Sequence, residues 1–333
     1  MTDMVMARPV LEGAAAATGA FEGYVRSGAT VEMKAFTGVT GDAGGFAVPR
    51  EIDAVIDATL KSISPIRAIA NVVKVGTAGY RKLVTTGGTP SGWAAETAGR
   101  PETASPSFTE IAPPMGELYA NPSASQAMLD DAQFDVEEWL AGEIATEFAK
   151  AEGAAFVNGT GVNRPKGFLT YPMAATGDAA RPFGTIQFLA SGAAADFGAN
   201  PQERLIDLVQ SLRGPYRQGA SFVMNAATLA RIRKFKTTDG AFVWQPSLQA
   251  GQPATLLGYP VVEAEDMPDI AAGTHAIAFG NFRAGYLIAE RTETAILRDP
   301  YSNKPFVGFY ATKRVGGAVV NSEAIKVMRF AAS

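Results

Sequence analysis

The chain has 333 residues, enough for a sizeable core and for about two domains, or one domain with long excursions. Hydrophobic residues make up 47% and charged residues 19%, a composition that folds and excludes intrinsic disorder. Twenty-nine basic against 33 acidic residues leave a net charge of −4 with no dense Lys/Arg tract, which argues against tight nucleic-acid binding. The absence of cysteine removes disulfides and thiolate chemistry. Thirty-five glycines and 20 prolines, spread along the whole length, predict frequent turns and an α+β design.

Residues 1 to 35 are rich in alanine and glycine and read as an arm or a short helix. The start lacks the basic and continuously apolar pattern of a secretory signal, so synthesis in the cytoplasm is expected. FTGVTGDAGGFAVPREI, from Phe36 to Ile52, is glycine-rich and reads as an extended segment docked on another surface. GWAAETAGRPETASPSFTEI, from Gly92 to Ile111, is long, polar and small-residue-rich, with two prolines between strand-like flanks. Segments of this composition cannot bury enough surface within one subunit to hold a single shape, but laid across a neighbour they gain contacts from both chains.

The strongest helix signal is DVEEWLAGEIATEFAKAEGAAF at 135–156. Asp135 is a candidate cap with Glu138 three residues on, Leu140, Ile144 and Phe148 recur every four residues, and Ala141, Ala145, Ala151 and Ala155 widen the stripe. A second helix is predicted from about 201 to 213, capped by Asn200, with Leu205, Leu208, Val209 and Leu212 as its face. SFVMN at 221–225 reads as a buried strand and AATLARIRKF as a short basic helix. From 256 onward LLGYPVVEAEDMP, HAIAFG, AGYLIAE, TAILRD, FVGFYAT and EAIKVMRF read as separate strands of an antiparallel or mixed sheet.

A search for chemistry leaves little. His275 is the only histidine and lies on a turn into a strand, without a nucleophile elbow. NGTGVNRPKG at 158–167 follows a helix and fails the phosphate-loop spacing. Glu263, Glu265 and Asp266 read as a solvated strand end ahead of a cation site, because 266 would point away from the other two. Helix capping explains at least half of the cluster Asp130, Asp131, Glu137 and Glu138. No catalytic, metal or cofactor-binding residue is assigned, and a soluble hydrolase using the 263–266 acids is the reading from another class.

Several stretches, in this order and spacing, resemble the major capsid protein of tailed bacteriophages and of gene-transfer-agent particles, the Hong Kong 97-type capsid family. They are GDAGGFAVPREI at 41–52, ISPIRAIANVVKV at 63–75, the segment 126–169 from QAMLDDAQFDVEEWL to NRPKGFL, and LLGYPVVEAEDMP at 256–268. The resemblance implies an N-terminal arm over 1–60, with 1–35 as the remnant of a scaffolding junction and a candidate cut near Lys34-Ala35. It implies an extended loop over 76–114, and a peripheral domain with a spine helix from 61–75, 115–195 and 297–320. An axial domain from 196–296 would be joined by the C-terminal strand 321–333. Hexamers and pentamers of such subunits would form an icosahedral shell around double-stranded DNA, with a portal, and with scaffolding or cement proteins as further candidate partners. No cofactor and no membrane are implied, and the place of the protein is the virion, assembled in the host cytoplasm.

Large apolar groups dominate interfaces, so Trp93, Phe108 and Ile111, with Phe46 and Val48 in the arm and Arg100 at the loop tip, are the intersubunit contact candidates. Some relatives weld their subunits through a loop lysine, an asparagine and an assisting glutamate. Those positions fall on Arg100, Pro305 and Thr312 here, and a protonated arginine cannot act as the amine nucleophile, so a shell without covalent crosslinks is expected. An encapsulin-type nanocompartment shell is the alternative within the same fold.

Overall fold

The computed structural model describes residues 64–76, 79–86, 91–94, 96–97, 99–100, 102–103, 105–131, 136–236 and 255–331. The expectations for the arm, Phe46 and Val48 among them, and for the cap at Asp135 lie outside these residues, as do the side chains of Asp130, Asp131, Glu137 and Glu138.

In chain order the first elements are α1 (Pro65–Ile69), β1 (Asn71–Val75), β2 (Lys82–Thr86), β3 (Ser107–Ile111), β4 (Met115–Ala120), β5 (Ser123–Ser125), α2 (Gln126–Asp131) and α3 (Val136–Asn158). The short strands β6 (Met173–Ala174), β7 (Ile186–Ala190), β8 (Gly192–Ala193) and β9 (Asp196–Phe197) follow, then α4 (Pro201–Ser211), α5 (Gly214–Arg217), β10 (Ser221–Met224) and α6 (Ala226–Arg233). The last part holds β11 (Thr255–Leu256), β12 (Tyr259–Glu263), β13 (Ile277–Gly280), α7 (Phe282–Gly285), β14 (Tyr286–Asp299), β15 (Phe306–Val319) and β16 (Ile325–Arg329).

Two compact units divide the chain: Leu118–Thr146 with Glu293–Lys313 belong to the first, and Leu60–Glu117, Glu147–Thr292 and Arg314–Ser333 form the second. In the second, a seven-stranded sheet runs β11-β12-β10-β13-β16-β7-β6. It is mixed, since β10 pairs parallel with β12 and antiparallel with β13, and β16 pairs antiparallel with β13 and parallel with β7. β10 and β13 are buried along their whole length, which is why they read as continuous apolar runs. Helices α4 and α6 cover one face: Leu205, Leu208, Val209, Leu229 and Ile232 pack on Phe222, Phe279, Met328 and Phe330. Each such side chain contributes about 1.5–3 kcal/mol of burial. In the first unit a smaller core joins Ala124, Leu129 and Val136 to Val307 and Phe309.

A second sheet has the order β1-β14-β15-β4, with β5 also pairing with β15. β1 runs parallel to β14, Asn71 opposite Leu287 through Val75 opposite Arg291. YLIAE, the part of AGYLIAE that follows α7, and TAILRD are one 14-residue strand rather than two. The intervening Arg291-Thr292-Glu293 has neither glycine nor proline to break it, and threonine favours strands.

Three details of the helices differ from expectation. The second helix ends at Ser211, and Asn200 makes no capping bond to the backbone; its amide donates to the Glu203 carboxylate at 3.1 Å. In α3 Ala151 is exposed, and the buried stripe runs through Ala141, Ile144, Ala145, Phe148 and Ala149 to Glu152, Phe156 and Val157. ISPIRAIANVVKV begins with the helical turn α1, opened by Pro65 in its first turn, before it enters β1.

Candidate intersubunit surfaces

β2 and β3 form a two-stranded antiparallel ribbon that belongs to neither larger sheet. Lys82 lies opposite Ile111, Leu83 opposite Glu110, Val84 opposite Thr109, Thr85 opposite Phe108 and Thr86 opposite Ser107. Opposed residues share a face and successive residues alternate. One face therefore carries Leu83, Thr85, Phe108 and Glu110; the other carries Lys82, Val84, Thr86, Ser107, Thr109 and Ile111. On the second face the Thr86 hydroxyl meets those of Ser107 at 3.1 Å and Thr109 at 3.2 Å, while Lys82, Val84 and Ile111 are half-buried. On the first face all four residues are exposed, and Leu83 and Phe108 keep 69% and 68% of their surface in solvent. At the base Arg81 pairs with Glu110 at 2.7 Å.

The contact candidates thus separate. Trp93 is fully exposed, and Arg100 is exposed as well. Phe108 is exposed on one face of the ribbon; Ile111 is half-buried on the opposite face. A ribbon of two strands is marginal on its own in water, and large apolar groups exposed on it make it a candidate contact surface.

The first unit presents a second apolar surface. Over residues 306–313 of β15 burial alternates: Val307, Phe309, Ala311 and Lys313 are buried, whereas Phe306 and Tyr310 are exposed and Gly308 and Thr312 partly so. Tyr119 of β4 and Leu297 of β14 are exposed as well, at 71% and 49%. Pro305, at the start of this strand, is exposed and its carbonyl accepts from the Gln126 amide at 3.2 Å. Pro305 and Thr312 offer neither an amide nor a carboxylate at the positions where a crosslink would need them.

Buried ion networks stiffen the second unit. Arg67 of α1 donates to both Glu290 oxygens, at 2.7 and 3.3 Å, and its Nε lies 3.4 Å from Glu152 of α3, so one guanidinium ties helix, strand and chain entry together. Asp178 gathers Lys326 of β16, Arg181 and Arg213, and Arg213 also reaches Glu323 at 3.2 Å. Burial opposes ionisation of Asp178, but the hydrogen bonds from Lys326 and Arg181 outweigh it and hold the carboxyl below its usual range. The links from Arg67 to Glu290 and from Lys326 to Asp178 join residues 223 and 148 positions apart, so no local pattern encodes them, and only the charged residues inside apolar runs, such as Glu152 and Lys326, signal them in the sequence.

The remaining candidates resolve into structure. His275 is half-buried edge-on to Phe188 at 6.3 Å, and burial, then the Arg329 charge, pushes its pKa down. Glu263 and Glu265 are exposed around buried Ala264. β12 ends at Glu263, so Asp266 belongs to the following turn and not to the strand, a correction to the alternation argument. Burial and the neighbouring Glu265 raise its pKa, and its carbonyl accepts from Asn158 at 3.0 Å. Among the described residues no three His, Asp or Glu side chains converge to hold a metal ion. NGTGVNRPKG is a closed loop: Thr160 bridges to Lys166, the Gly167 amide donates to the Gly159 carbonyl at 2.8 Å, and Lys166 stands 4.2 Å over the Tyr171 ring.

This fold has known counterparts. Residues 44–330 match the model of the phage capsid family. Two solved capsids of GTA particles, one empty and one native, both computed with C5 symmetry, are each 46% identical to the chain with a TM-score of 0.76. They cover 91% of it, and the alignment takes in 98% and 99% of the respective capsid chains. A structure from Microbacterium phage Oxtober96 shares the fold at 14% identity, with a TM-score of 0.59 over 90% of this chain and 98% of that one. No curated protein matches. An α+β fold of the Hong Kong 97 type, matched along nearly its whole length at this level of identity, places the chain in the phage capsid family, as a structural subunit of a capsid.

Proposed function

We propose that the protein is the major capsid subunit of a tailed-phage or gene-transfer-agent particle. Copies associate as hexamers and pentamers into an icosahedral shell that encloses double-stranded DNA without reading its sequence. The shell assembles in the host cytoplasm around a portal, with scaffolding or cement proteins as further partners. Membership of the phage capsid family carries this reading, and the ribbon with its exposed Leu83, Phe108 and Trp93 supports it, because those groups need a second chain to cover them. The exposed face around Tyr119, Leu297 and Tyr310 suits such a contact from a neighbouring copy. In this reading 61–75, 115–195 and 297–320 form the peripheral domain, 196–296 with 321–333 the axial domain, 76–114 the extended loop and 1–60 the arm.

The subunits are held without covalent welds, since Arg100, Pro305 and Thr312 replace the three groups that such a bond requires. The mild net acidity keeps packed DNA from adhering to the protein through many phosphate contacts. Purified particles are expected to yield nuclease-protected double-stranded DNA and, on a denaturing gel, one monomer band. A ladder of multimers would refute the uncrosslinked shell, and an enclosed enzyme in place of DNA would return the encapsulin-type reading.

A further inference from the structure

The two faces of the ribbon are unequal, and their inequality assigns the side on which a neighbour sits. The face with Thr86, Ser107 and Thr109 satisfies its hydroxyls internally: Ser107 donates to the Thr86 carbonyl at 2.6 Å, and the Thr86 hydroxyl meets both other hydroxyls. Its apolar members, Val84 and Ile111, are already half-buried. The opposite face is the reverse. Phe108 lies directly opposite Thr85 and diagonally next to Leu83, whose own partner is Glu110, and all are exposed. That face has apolar surface without cover; the other has polar groups already satisfied.

We propose that the ribbon docks on a second copy of this chain through the Leu83/Thr85/Phe108 face alone, and that the Thr86/Ser107/Thr109 face stays in solvent. The inference rests on the reading that the ribbon makes an intersubunit contact, and adds which side of it does so. A second copy is the fitting occupant because the chain is a capsid subunit, and shells are built from copies of the same chain. Docked this way, the Arg81–Glu110 pair at the ribbon base borders the contact as part of its polar rim.

The lack of cysteine allows a direct test on the full chain. Thr85 and Thr109 are both exposed, lie on opposite faces and tolerate a near-isosteric change, so T85C and T109C report each side without removing the apolar groups. In free subunits both thiols should react with a maleimide at similar rates. In particles, reaction at T85C should slow by at least about tenfold while T109C keeps its rate. A paired change, Leu83→Ser with Phe108→Ser, should reduce the yield of particles, and Thr86→Ala with Thr109→Ala should not. Protection at T109C with T85C left reactive, or protection at both, would overturn the sidedness while preserving the ribbon as an intersubunit element. Equal reactivity of both thiols in particles and in subunits would overturn the sidedness and the intersubunit reading together.

Discussion

Asp178 brings three cations to one half-enclosed carboxylate, and one of them, Lys326, has no solvent exposure at all. Breaking such a group from the acid side strands the buried cation, whereas replacing the lysine with an apolar chain leaves Asp178 with two arginines. Asp178→Asn should therefore cost about 3–5 kcal/mol, and Lys326→Met clearly less, in denaturant unfolding of the purified subunit. The pH dependence has a definite sign. The folded carboxyl lies below the usual value of 3.8, so its contribution is complete above that value and disappears as the pH falls through the lower folded value. Asp178→Asn should flatten that acid limb. Glycines divide in the same way. A Cβ at Gly167 would strike the Val157 backbone and stand 2.6 Å from the Asn158 nitrogen, whereas one at Gly142, inside the same long helix, would meet nothing within 4 Å. Gly167→Ala should lower stability by about 1–3 kcal/mol, and Gly142→Ala should raise it by up to about 1 kcal/mol, as read from the thermal midpoint. The glycines of NGTGVNRPKG thus serve close backbone packing at the end of a helix. Their sequence tempted a phosphate reading because glycine marks any close approach, whatever it approaches.

At the scale of elements, α3 and the β10–β13 pair were legible because one has a 3.6-residue stripe and the others are short continuous apolar runs. The Ala151 error has the same origin: alanine is neutral to either face, so the stripe could be placed only by its larger neighbours, and Phe156 with Glu152 set its true line. Strand continuity through residues 291–293 is hidden in the sequence because a polar run resembles a turn, although no glycine or proline is present. The ribbon was legible only in part. Its poverty in apolar side chains announced a segment unable to stand alone, yet the sidedness that separates Phe108 from Ile111 depends on cross-strand register, which a local pattern does not contain. Because the ribbon adds little to either core, removal of residues 96–106 should leave the circular dichroism spectrum and thermal midpoint of the subunit nearly unchanged and should block particle formation. Normal particles from that deletion would remove the ribbon from the interface.

For the whole molecule, the account rests on membership of the phage capsid family together with large apolar side chains left exposed outside the cores. The second unit has a seven-stranded core sealed by two helices and locked by buried ion networks, and the first has its own smaller core. What these cores leave outside is a ribbon with Leu83 and Phe108, a loop with Trp93, and the exposed Tyr119, Leu297 and Tyr310 on three strands of the first unit. The sequence indicated the family through the order and spacing of weak signals. It did not reveal the exposure of Tyr119 and Tyr310, because an exposed tyrosine on a strand is indistinguishable in sequence from a buried one. The central claim is that the ribbon of each subunit is completed by another copy in a closed shell. A cryo-electron microscopy reconstruction of purified particles tests it most directly. The account predicts subunits in rings of five and six, with Leu83 and Phe108 of each ribbon covered by a neighbouring chain. Particles in which these side chains face solvent, or fold back onto their own subunit, would contradict it.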